Sequence, residues 1–76
     1  MVTEERVVRA AVEAAESVVF SRYDRSDLDD IDVAVSFADG VLEVDVYLSV
    51  PGADDEATVA DEAALAARDT VDELLE

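Results

Sequence analysis

Three hydrophobic periods follow one another along the chain: a helical one, a period of two, and a second helical one. Val7, Val8, Ala11, Val12, Ala15, Val18 and Val19 recur at the spacing of one helix face. Arg6, Arg9, Glu13, Glu16 and Ser17 fall opposite, with Glu5–Arg9 and Arg9–Glu13 spaced as i,i+4 ion pairs. Thr3 is the expected N-cap, and Glu4 and Glu5 follow in the first turn, where the helix dipole favours acids. Valine forms helices only modestly, so packing must hold this one more than propensity does. It should end near Arg22 or Tyr23, and Phe20 falls toward its polar side.

A polar stretch, Tyr23 to Asp30, leads into strict alternation. Ile31, Val33, Val35 and Phe37 point one way, and Asp32, Ala34 and Ser36 the other. Asp39-Gly40 then reads as a two-residue type I′ turn, which needs positive φ at both positions. The second strand places Leu42, Val44, Val46, Leu48 and Val50 inward and Glu43, Asp45, Tyr47 and Ser49 outward. With Ala38 facing Val41, the pairs become Phe37–Leu42, Val35–Val44, Val33–Val46 and Ile31–Leu48. Apolar then meets apolar throughout one face, and a slip of one residue would destroy the agreement.

Pro51-Gly52 turns the chain, and Asp54 or Asp55 should cap a second helix. Its expected buried face is Ala57, Ala60, Ala63, Ala64, Ala67, Val71, Leu74 and Leu75. The fold class is therefore α+β, one α-β-β-α domain over residues 1–76, with both helices on one face of an antiparallel hairpin. Val35 and Val44 are expected at the centre of the core, beneath both helices. A two-stranded sheet is about 10 Å wide and two packed helices about 20 Å, so the helices overhang it. Both sheet edges are also unpaired. A homodimer joining two hairpins into one sheet would cure both defects, and the second strand is the expected pairing edge, as the longer one and the farther from the acid-rich loop, with face-to-face packing through Tyr47 and Ala34 as the alternative.

Composition alters the picture in one respect. Asp and Glu number 21 against 5 basic residues, for a net charge of −16, and all five basic residues are Arg. An acidic disordered tail could look similar, but 51% of residues are hydrophobic and they are patterned. Acid-rich, lysine-free chains stay soluble and folded in brine, so the protein is read as halophilic. The acidic start carries no signal-peptide pattern, and no apolar run could span a membrane, so a cytoplasmic location is expected.

Candidate chemistry is sparse. The chain has no His and no Cys. It therefore lacks the commonest general base, thiolate ligands and disulfides. Its serines have no His or Lys to activate them, and its two glycines make no phosphate loop. Asp24, Asp27, Asp29, Asp30 and Asp32 contain no glycine turn of the kind a calcium loop needs. No catalytic, cofactor-binding or metal-binding residue is assigned. Arg22, Tyr23 and Arg25 form the one basic and aromatic cluster, suited to stacking on RNA bases or to neutralising adjacent acids while Tyr23 seals the core. Phe20, Leu65, Tyr47 and Ala34 lie off the expected buried faces, and a cluster of such residues would mark a partner surface. Phe20, Arg22, Tyr23, Arg25, Tyr47 and Leu65 are thus the candidate interaction residues.

The opening helix from Val8 to Phe20, the segment Val41-Leu42-Glu43-Val44-Asp45-Val46-Tyr47-Leu48 and the Ala-rich closing helix resemble a short archaeal family of unknown function, found as standalone acidic proteins in haloarchaea. Genes of such proteins neighbour that of prefoldin beta, and the resemblance implies a setting in protein folding or translation. The element order and Gly40-Val41-x-Val-x-Val are also similar, more distantly, to the alkaline shock protein family. Neither resemblance supplies catalytic residues. The function expected is a non-catalytic interaction module that dimerises and binds another protein. The alternative is an RNA-associated accessory protein using Arg22, Tyr23 and Arg25.

Overall fold

The computed structural model describes residues 3–75. Helix α1 (Glu4–Arg22) leads through a short 3-10 turn (Arg25–Asp27) to strands β1 (Asp30–Ala38) and β2 (Val41–Ser49), and helix α2 (Glu56–Leu75) closes the fold. Thr3 caps α1 as expected, its hydroxyl accepting the Arg6 N–H at 3.2 Å. Asp39 (φ 54°) and Gly40 (φ 76°) are both left-handed, the conformation a type I′ turn requires. The antiparallel register is the one the turn dictates, from Ala38 opposite Val41 to Asp30 opposite Ser49. Both strands have nine residues, so the expectation of a longer second strand was wrong. After β2, the Ala53 N–H bonds to the Val50 carbonyl across Pro51-Gly52. Gly52 (φ 87°) holds the third position of that turn, with the positive φ that a type II turn requires there and glycine supplies.

The centre of the core is not where the alternation placed it. The most deeply buried residues are two matched stripes, Val7, Ala11, Ala15 and Val19 on α1 and Val59, Ala63, Ala67 and Val71 on α2. Each stripe has a four-residue step, and in each two valines bracket two alanines. The small methyls permit a close approach of antiparallel helix axes, and every residue of the two stripes is at most 1% exposed. The expected face of α2 was rotated: Val59 is fully buried, whereas Ala57 and Leu75 are exposed. Alanine-rich sequence shows no preference among several faces, and the valine positions decide which one is used.

The hairpin packs beneath this seam, with β1 on α1 and β2 on α2. Val35 and Val44 do face each other, but both are only half-buried, as is the rest of the inner face apart from Leu48 and Val50. The molecule is elongated, 42 × 18 × 17 Å. Its radius of gyration is 12.7 Å, against about 11.4 Å for a compact chain of this length. No helix among the described residues is long and apolar enough to cross a membrane.

Candidate interaction surface

Five side chains gather where the hairpin meets the helix pair. Tyr23 follows α1 and packs on the core, and its hydroxyl donates to Asp55 Oδ1. Asp55 stands just before α2, where its carbonyl also takes the Val59 N–H. The hydrogen bond to the Asp55 carboxylate pushes the Tyr23 hydroxyl up to about 12, because it holds the proton on the phenol and the neighbouring negative charge opposes a phenolate. Arg22 binds Glu62 at 2.5 Å, tying the end of α1 to α2. Glu56 accepts the Val50 N–H at 2.6 Å, anchoring the end of β2 to the start of α2. Polar groups on three elements thus fix the angle at which the hairpin leaves the helices.

Phe20 was expected on the polar side of α1. It is half-buried against the core instead, and the Arg25 guanidinium lies 4.6 Å from its ring centroid. The 3-10 turn makes this contact by bringing Arg25 back over the end of α1. Leu28, which sequence alone left in a polar loop, also packs on the core. Phe20, Arg25, Leu28 and Ile31 line an open hollow of about 270 Å³, rimmed by Asp29 and Asp30.

Arg22, Tyr23 and Arg25 are each engaged within the chain, with Glu62, Asp55 and the Phe20 ring respectively. The expected pairs Glu5–Arg9 and Arg9–Glu13 are not formed: Arg22–Glu62 is the one ion pair among the described residues. Arg6 and Arg9 instead line an open hollow of about 450 Å³ with Glu5 and Glu13. The described residues bring no three acidic side chains together as metal ligands would be.

The outward apolar residues do not all share one face. Leu65 is 60% exposed on the side of α2 away from its buried stripe. Tyr47 is 57% exposed on the outer face of the hairpin, opposite Asp32. Ala34 shares that outer face, two positions along β1 from Asp32. What remains unpartnered is continuous in another sense, namely the two long edges of the hairpin and the half-buried apolar face between them.

An uncharacterised protein of the haloarchaeon Natronomonas pharaonis is 47% identical over 97% of this chain and 89% of its own length. The chain belongs to the same family. That family has no known function, in agreement with the resemblance seen in the opening helix, the Val41–Leu48 segment and the closing helix. A crystal structure from Thermococcus onnurineus NA1 shares the family's fold, with a TM-score of 0.78 and 30% identity over 99% of this chain and 81% of the other. No family model matches the chain.

Proposed function

We propose that this protein is a non-catalytic interaction module that works as a homodimer in concentrated salt, its two hairpins joined edge to edge. The observation that carries the reading is the incomplete cover of the hairpin. The chain exposes 5082 Å², whereas a compact monomer of 8.1 kDa should expose about 4,500 Å². The excess is about 600 Å² per chain, or about 1,200 Å² for two, which is the lower limit of specific interfaces. A two-fold pairing of edges would satisfy the free groups of the paired strands and keep all four helices on one side of a four-stranded sheet.

The inventory of reactive groups supports a binding role over a catalytic one. The chain has no His, Cys or Lys, and no charged or polar residue is buried among those described. In this reading the dimer's ligand is another protein, in the setting of folding or translation that the family resemblance implies. Sedimentation in multimolar KCl at micromolar protein tests the assembly. A species of twice the chain mass is expected, and a monomer under those conditions overturns the reading.

A further inference from the structure

We infer that the second copy pairs through β1, about a two-fold axis at Ala34, and not through β2. This rests on the homodimer reading above and names the edge and the register.

The turn determines which backbone groups are free. Ala38 accepts the Val41 N–H across the type I′ turn, so Ala38 and Val41 exchange hydrogen bonds, and such pairs alternate along the ladder. The residues whose N–H and C=O point away from the hairpin are therefore Ile31, Val33, Val35 and Phe37 on β1. On β2 they are Leu42, Val44, Val46 and Leu48. An added antiparallel strand must bond to these.

Each strand can meet its own copy at full overlap in one way. Centred on Ala34, β1 bonds Val33 to Val35 and Ile31 to Phe37 of the second copy, which extends the apolar face without a break. On the outer face, Ala34 meets Ala34, Asp32 meets Ser36 and Asp30 meets Ala38, so no acid faces an acid. Asp29 and Asp39 approach only beyond the strand ends, where concentrated salt screens them.

Centred on Asp45, β2 satisfies the same backbone rule but sets Asp45 against Asp45. That pair lacks mutual hydrogen bonds and is therefore the close kind, with Cα atoms about 4.5 Å apart. Directly opposed like charges destabilise a sheet. Centring on Val44 sets Glu43 against Asp45 twice. Centring on Val46 avoids the clash, but Val41 and Leu42 then fall opposite Pro51 and Val50 respectively, beyond the strand. The β1 edge alone pairs over its whole length without opposing acids. It also brings together the two copies of α1, which packs on β1 and keeps Val8 and Val12 only half-buried.

The native chain has no Cys, so a single introduced thiol can report the axis. A residue on the two-fold at a close pair lies within disulfide range of its own copy. Ala34→Cys and Asp45→Cys, both on the exposed outer face, would be oxidised mildly in multimolar KCl and run on a non-reducing gel. The full-length A34C chain is expected to link nearly to completion, and D45C to give only a trace. D45C itself removes the carboxylates that oppose β2 pairing, so the comparison is weighted against the proposal. Linkage of D45C without A34C overturns it in favour of β2. Absence of both links, in a wild-type chain that sediments as a dimer, overturns edge pairing at β1 and leaves the dimer standing. A wild-type monomer in the same buffer removes the dimer and the edge assignment together.

Discussion

Single side chains at the base of the hairpin do more to orient it than to stabilise it. The Arg22–Glu62 pair is partly exposed, so it contributes at most about 1 kcal/mol, and less in brine. The Tyr23 hydroxyl bond to Asp55 has a pH signature. The folded state raises the Tyr23 pKa from 10.0 to about 12. A group raised in this way stabilises the fold fully below its unfolded value and loses that contribution as pH climbs through the folded one. The wild type should therefore lose melting temperature between pH 10.0 and about 12. Tyr23→Phe should lose less over the same interval, because it has no hydroxyl to ionise there. Melts of the two chains across that range check this, and parallel curves would show that the bond contributes nothing.

The two helices are defined by the alanines and valines that face each other. Ala63 is fully buried in the seam, so Ala63→Leu must separate the axes, at a cost of about 1–3 kcal/mol. Leu65 is two residues away and 60% exposed, and Leu65→Ala should change stability by no more than about 0.5 kcal/mol. In thermal melts the first variant should fall by roughly 4 °C or more and the second by little. Equal losses would mean that the buried stripe of α2 is misplaced. The hairpin shows how far local signals reach. Asp39-Gly40 and the alternation around it specify every cross-strand pair, because a two-residue turn admits one register. The same signals cannot say how deeply that face is covered, since cover depends on where the helices sit.

For the molecule as a whole, charge and shape act on the same equilibrium. A net charge of −16 opposes both folding and association. At 1 M salt the screening length is about 3 Å, so most of that repulsion vanishes. Melting temperature, followed by circular dichroism, should rise steeply along a KCl series, and the fold should loosen at low ionic strength. A melting temperature indifferent to salt would remove the halophilic reading.

The sequence by itself determined the element order, both helix periods, the Thr3 cap and the full strand register. Each rests on neighbours within a few positions, where backbone stereochemistry leaves little choice. Only the tertiary structure decided the rest. It put Val59 in the core and Ala57 outside it, because a run of alanines leaves a helix free to choose its face until a partner stripe selects one. It folded Phe20, Arg25 and Leu28 back onto the core, through a 3-10 turn hidden in a polar loop. It also engaged Arg22 and Tyr23 with Glu62 and Asp55, residues more than thirty positions away. Contacts between residues so far apart in the chain have no local period or turn to announce them, and they depend on how the helices pack against each other and the hairpin.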